Sequence, residues 1–177
     1  MSFKKYQQYP IVQNFKREWA DKTITHAPIY CSVDLRDGNQ ALINPLTVEQ
    51  KLEYFKALVK MGFKQIEVSY PSASDTDFNF TRKLIEEDLV PDDVAIQILI
   101  PAKKEWIKKS VEAMSEVKNG IFHLYNPTNE FQRRVVFQKS DDEITQMAIE
   151  AMQYLVELTK DFKGKVTYQY SPESFSQ

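Results

Sequence analysis

Over residues 27–35 apolar and polar side chains alternate with a period of two. This predicts a strand with Cys31, Val33 and Leu35 on one face. After a turn the period lengthens. Val48, Leu52, Phe55 and Val59 hold helical spacing, Thr47 and Gln50 stand at the two positions of a capping box, and Gly62 marks the stop. The two periods then take turns along the chain. Residues 64–70, 94–100, 121–125 and 165–171 read as strands. Between them, a helix capped by Ser74 or Asp75 runs to about residue 88. A second carries Ile107, Val111 and Met114 on one face. A third, capped by Ser140 with Glu143 at the box position, carries Ile144, Met147, Ala151, Leu155 and Leu158 and stops at Gly164.

Five strands alternating with four helices predict right-handed βαβ crossovers and a parallel sheet. A doubly wound sheet has helices on both faces, so its strands read as continuous apolar runs. These strands do not. Cys31, Val33, Leu35, Ile66, Val68, Val94, Ile96, Ile98, Phe122, Leu124, Val166 and Tyr168 share one parity. Ser32, Asp34, Arg36, Gln65, Glu67, Ser69, Gln97, His123, Tyr125, Thr167, Gln169, Ser171 and Glu173 share the other. One face therefore packs on helices and the other lines a polar space, as in a barrel lumen. An antiparallel sheet with one solvated face shows the same alternation, but the intervening helices oppose it. The expected fold class is α/β, a (β/α)8 TIM barrel. A whole barrel takes about 250 residues, so 177 residues hold about five βα units. Residues 1–27 are expected to form an arm, and residues 28–177 the amino-terminal part of the barrel domain.

Hydrophobic residues at 42% and charged residues at 27% suit a globular domain, and a net charge of −2 supplies no bulk attraction for nucleic acid or an anionic membrane. Tyr6, Tyr9, Phe15 and Trp19 alternate with Lys4, Lys5, Lys16 and Arg17 in the arm. Such a mixture suits single-stranded nucleic acid or packing on a domain or subunit, and the acidic balance of the chain favours packing. One cysteine, Cys31, excludes an internal disulfide framework and is expected as a small buried residue in a strand. No apolar run is long enough for a membrane span, and residues 1–10 lack a secretory apolar region. A cytoplasmic protein is expected.

The stretch Asp34-Leu35-Arg36-Asp37-Gly38-Asn39-Gln40 at the first strand end combines a permanent cation, a hard oxygen ligand and a sharp turn. On its local residues alone it reads as a surface Asp–Arg pair before a turn. His123 has the parity of Tyr125, pointing into the polar space. A lone strand histidine is otherwise a hydrogen-bonded core or surface residue. The sequence holds no HxH, HxxxH or HExxH pair, no nucleotide-binding glycine loop and no nucleophile elbow.

Four stretches in order give a narrower reading. The segment Ser32-Val33-Asp34-Leu35-Arg36-Asp37-Gly38-Asn39-Gln40-Ala41-Leu42 resembles the first-strand signature of the 2-isopropylmalate synthase family. Glu67-Val68-Ser69-Tyr70-Pro71-Ser72-Ala73-Ser74, followed by Asp77-Phe78, resembles its second. His123-Leu124-Tyr125-Asn126 and Tyr170-Ser171-Pro172-Glu173 are similar to its fourth and fifth strand ends. The resemblance implies an acyltransferase that condenses acetyl-CoA with 2-oxoisovalerate to 2-isopropylmalate in leucine biosynthesis. It implies that Asp37 ligates a divalent cation (Mg, Mn or Zn) and that Arg36 stabilises charge developing on the keto oxygen. It further implies that Leu99, His123, Tyr125 and Ser171 line the keto-acid pocket, and that Glu173 belongs to the acid–base apparatus. The implied partners are these small molecules, with acetyl-CoA as co-substrate, and the parent enzyme is expected as a homodimer. The family's HxH pair, its last three strands and its regulatory domain have no counterpart here. Two alternatives stand beside this reading: a non-catalytic barrel fragment that works only by association, and a fragment of a homocitrate or citramalate synthase. The isolated chain is expected to bind divalent cations weakly, to be inactive, and to dimerise, aggregate or unfold.

Overall fold

The computed structural model describes Lys22 and residues 24–175. Most of the expected arm, residues 1–21 and 23, lies outside the described residues. Five strands, β1 (Cys31–Ser32), β2 (Gln65–Ser69), β3 (Ala95–Pro101), β4 (Asn119–Pro127) and β5 (Lys165–Glu173), form one sheet. Its order is β1-β2-β3-β4-β5 and every neighbouring pair is parallel. Helices α1 (Val48–Met61), α2 (Asp75–Glu86), α3 (Lys104–Ala113) and α4 (Asp141–Thr159) make the crossovers. The architecture is that of a (β/α)8 barrel truncated to its first βα units.

The helix boundaries follow from side-chain capping. Thr47 with Gln50, and Ser140 with Glu143, form reciprocal capping boxes that satisfy otherwise orphaned N–H groups. Ser74, not Asp75, caps α2 by accepting from the Asp77 N–H. Gly62 ends α1 in the left-handed region at φ 98°, where a Cβ would be strained. The core lies between the sheet and the helices. Ile66, Val68, Ile96, Ile98, Phe122 and Leu124 meet Phe55, Phe80, Leu84, Ile107, Met114 and Leu155, all essentially without solvent contact. Each such side chain contributes about 1.5–3 kcal/mol of transfer free energy. A buried ion pair ties the layers together. Lys51 on α1 donates to Asp77 on α2 and to the Val68 carbonyl of β2 at 3.4 Å, and its ammonium lies 5.3 Å over the Phe80 ring.

The first strand departs from its predicted form. Only Cys31 and Ser32 pair with β2. The chain then coils through a π-helical turn, Asp34–Gly38, in which the N–H groups of Arg36, Asp37 and Gly38 converge on the Val33 carbonyl. The strand's expected parity is therefore wrong. Cys31 aligns with Gln65 and turns its thiol toward Gln97 at 3.8 Å, on the polar side, while Ser32 aligns with Ile66 and is buried. Leu35 still reaches the core, because the coil turns it there, and Val33 is exposed. Ser69, expected on the polar face, faces α2 instead and bonds Thr81 Oγ1 at 2.6 Å. The register shift between Glu67 and Ser69 sets Ser69 beside Ile98, and one extra residue reverses the face.

Candidate active site

Parallel pairing stacks alternate residues of neighbouring strands on one face. On the face away from the helices this brings Glu67 level with Gln97, Leu99 with His123, and Tyr125 with Ser171. A continuous hydrogen-bonded set results. Glu67, whose side chain has no solvent contact, accepts from Arg36 Nε at 2.5 Å on Oε1. Its Oε2 accepts from Gln97 Nε2 at 2.5 Å and lies 2.8 Å from His123 Nδ1. His123 Nε2 lies 2.7 Å from Ser171 Oγ. The four strands β2 to β5 and the turn after β1 each contribute one or more of these groups.

The electrostatics follow from this geometry. Burial by itself would raise the Glu67 carboxyl, but hydrogen bonds from His123 and Gln97 and the Arg36 charge outweigh it and hold it below its ordinary value. The carboxylate is thus ionised inside the lumen. The same anion acts on Cys31: burial first, then the Glu67 charge, pushes that thiol up to about 11, so it is protonated and a poor nucleophile near neutral pH.

Asp37 stands at the rim, 59% exposed, and accepts from Arg36 Nη1 at 2.7 Å. Arg36 is thereby held along two edges, Nε on Glu67 and Nη1 on Asp37. Among the described residues no group of three or more His, Cys, Asp or Glu is placed to hold a metal ion. One exposed carboxylate does not make a divalent site, which takes several oxygen ligands. The described residues therefore fit one ligand position of a cation centre and not a whole one.

Tyr125 and Glu173 belong to a neighbouring space. With Tyr70, Lys103, Trp106 and Met147 they line a recess of about 200 Å³ at the carboxyl ends of the strands. Tyr70 forms its aromatic centre, 5.9 Å from the Trp106 ring and 6.4 Å from Tyr125, with the two phenol oxygens 3.3 Å apart. Asp77 Oδ2 accepts from the Tyr70 N–H at 2.8 Å, so the buried Lys51–Asp77 pair also fixes the end of β2. Burial, then the bond to Tyr125, raises the Tyr70 phenol and keeps it neutral.

Of the residues singled out in the sequence, Arg36, His123 and Ser171 meet through Glu67, with Leu99 beside His123 in register and Asp37 attached to Arg36. Sequence alternation sets Glu67 and Gln97 on the polar face but assigns them no role. The signal is present at Gln97, the one polar residue of Ala95–Pro101, since such a group is costly to bury unless paired; Glu67, in an alternating strand, carries no such mark.

Residues 27–177 match the family described as HMGL-like. The chain is 51% identical over 179 residues to 2-isopropylmalate synthase of Clostridium acetobutylicum, which covers 99% of this chain and 32% of that protein. It is 51% identical over 178 residues to the enzyme of the same name from Helicobacter hepaticus, again covering 99% and 32%. With the counterpart from Corynebacterium glutamicum it shares 49% over 161 residues, covering 90% and 26%. The chain thus spans between a quarter and a third of the length of these curated relatives. Among solved structures, an HMG-CoA lyase from Acenitobacter baumannii in complex with coenzyme A and 3-methylmalate superposes with a TM-score of 0.57 at 17% identity, covering 79% of this chain and 43% of that one. That likeness is one of fold.

Proposed function

We propose that this chain, which belongs to the HMGL-like family, is the amino-terminal part of a 2-isopropylmalate synthase and carries the keto-acid side of its active site. The observation that carries the reading is the coincidence of 51% identity to such enzymes with the packed Arg36–Glu67–His123–Ser171 set on the lumen face. In the proposed reaction the α-carbon of acetyl-CoA loses a proton and attacks the keto carbon of 2-oxoisovalerate. Hydrolysis of the thioester then releases the CoA thiol and leaves 2-isopropylmalate.

Arg36, oriented by Glu67 and Asp37, would meet the negative charge that grows on the keto oxygen as the new bond forms. Leu99, His123, Tyr125 and Ser171 would enclose the branched side chain and carboxylate. Glu173, at the recess beside Tyr125, would take part in proton transfer at the thioester. Asp37 would offer one ligand to a divalent cation. A homodimeric parent and a cytoplasmic location belong to the same reading. The structure adds that no helix among the described residues is long and apolar enough to cross a membrane.

The test is a thiol-release assay on the protein that contains this chain, with acetyl-CoA and 2-oxoisovalerate. Release that depends on 2-oxoisovalerate is expected. Arg36→Lys keeps the charge and loses the planar fork, so kcat should fall by ~10²–10³ with a smaller change in KM. Preference for pyruvate or 2-oxoglutarate as acceptor would move the reading to a citramalate or homocitrate synthase. An unchanged kcat with a raised KM in Arg36→Lys would limit Arg36 to binding.

A further inference from the structure

Three donors converge on one carboxylate that solvent does not reach: Arg36 Nε on Oε1, and Gln97 Nε2 with His123 Nδ1 on Oε2. A carboxylate served in this way is ionised and can only accept. His123 Nδ1 must then carry a proton, because a bare nitrogen would set two acceptors 2.8 Å apart in a buried site. Gln97 cannot reverse the assignment. Its amide nitrogen carries two hydrogens and could donate to a bare Nδ1 at 3.2 Å as well as to Oε2, but the 2.8 Å contact between Nδ1 and Oε2 would still hold no proton. With Nδ1 protonated, the lone pair of neutral His123 sits on Nε2, 2.7 Å from Ser171 Oγ. The Ser171 hydroxyl donates to it. Acid, imidazole and hydroxyl, contributed by β2, β4 and β5, thus stand in the order of a serine–histidine–acid relay, although the three are scattered over 104 positions between Glu67 and Ser171.

We propose that Glu67 is a positioning residue that locks His123 in its Nδ1–H tautomer and so makes Nε2 the proton acceptor for Ser171. The consequence concerns what the lumen offers to a ligand. Ser171 has one hydroxyl proton. While that proton is directed at Nε2, Ser171 presents lone pairs to the lumen. When His123 takes a second proton, Nε2–H points at Oγ and the hydroxyl proton becomes available to an acceptor such as a carboxylate. One imidazole proton therefore decides whether Ser171 donates or accepts. The groups that face the imidazole are Glu67 from β2, Gln97 from β3 and Ser171 from β5. Arg36 and the neutral Cys31 thiol act on it through Glu67 and Gln97.

The lock is a property of the folded lumen and is read without substrate, so it stands or falls independently of the reaction proposed above. The chain has two histidines, and His26→Gln leaves His123 as the sole one. In that full chain, labelled with ¹⁵N-histidine, the nitrogen shifts of the neutral imidazole report the tautomer. They do so in solution or, if the chain associates, by magic-angle spinning of the sedimented protein. The Nδ1–H form is expected to dominate by about tenfold or more, as a charge-assisted hydrogen bond supports. Ser171→Ala should keep that form, and Glu67→Gln, whose amide can donate to Nδ1, should restore the Nε2–H form. If Glu67→Gln does not fold, the unsubstituted Glu67 chain decides alone. A dominant Nε2–H form in a chain with native circular dichroism, or an unchanged tautomer in folded Glu67→Gln, overturns the proposal.

Discussion

Glu67 shows what a single charge does when strands converge on it. Its side chain is buried, yet its carboxyl is held below the ordinary value of 4.5 because hydrogen bonds and the Arg36 charge outweigh desolvation. The sign of the stability effect follows. A carboxyl depressed in the folded state adds stability that is complete above its unfolded value and is lost as pH falls through its folded value. The chain should therefore lose thermal stability on acidification below about pH 4.5. Exposed carboxylates such as Asp93, Glu130 and Glu143 are also depressed, each by a local partner. Comparison with Glu67→Gln removes their share. Melting curves between pH 6 and pH 3 should give a flatter acid limb for Glu67→Gln than for the parent chain, and parallel limbs would mean that the fold does not hold the Glu67 carboxyl below its ordinary value.

At the scale of elements, the connections matter as much as the strands they join. Gly164, in the turn from α4 to β5, approaches the backbone of the preceding βα unit. A Cβ there would lie 1.9 Å from the Val117 carbonyl oxygen and 2.8 Å from that of Lys118. The Lys165 N–H bonds this same Lys118 carbonyl at 2.8 Å, so the contact seats β5 against β4. Backbone cannot yield as a side chain does. Gly164→Ala should therefore cost about 2–3 kcal/mol in urea unfolding, at the upper end for overpacking. Gly120, at the start of β4, provides the contrast. A Cβ there meets side chains instead, Met114 Cε at 2.7 Å, the far end of a flexible chain, and the Val117 methyls at 2.9 and 3.3 Å. Gly120→Ala should cost less than Gly164→Ala, about 1–2 kcal/mol, because methionine can repack while the stiffer Val117 yields only in part. Equal effects at the two sites would show that the α4–β5 turn shifts freely.

For the molecule as a whole, the sheet is open. β5 pairs with β4 alone among the described residues, and most of its nine residues are exposed or half-buried. Among the described residues no strand pairs with its outer edge, and Tyr168, Tyr170 and Phe175 add exposed aromatic surface beside it. β1, two residues long, bounds the other side. The 177-residue chain by itself should therefore associate at micromolar concentration. Light scattering and sedimentation velocity read this directly, and a monodisperse monomer with a cooperative melt would show that the open edges are tolerated.

The chain by itself determined the order and type of its elements, because these rest on local physics. The strand and helix periods, the Thr47 and Ser140 capping boxes and the Gly62 stop all act within a few residues. The alternation of polar and apolar strand positions was enough to separate a helix-facing side from a lumen. Arg36, His123 and Ser171 were legible as candidates from their strand-end placement and the family resemblance. The tertiary structure decided what depends on register and distance. The π-helical turn after Ser32 cut β1 short and reversed Cys31, because backbone N–H groups found a nearer acceptor in the Val33 carbonyl than in a neighbouring strand. The bulge before Ser69 turned that hydroxyl to Thr81. Only the packed sheet made Glu67 the hub. A carboxylate gains meaning from the donors brought within 3 Å of it, and those on Arg36, Gln97 and His123 are 31, 30 and 56 positions away along the chain.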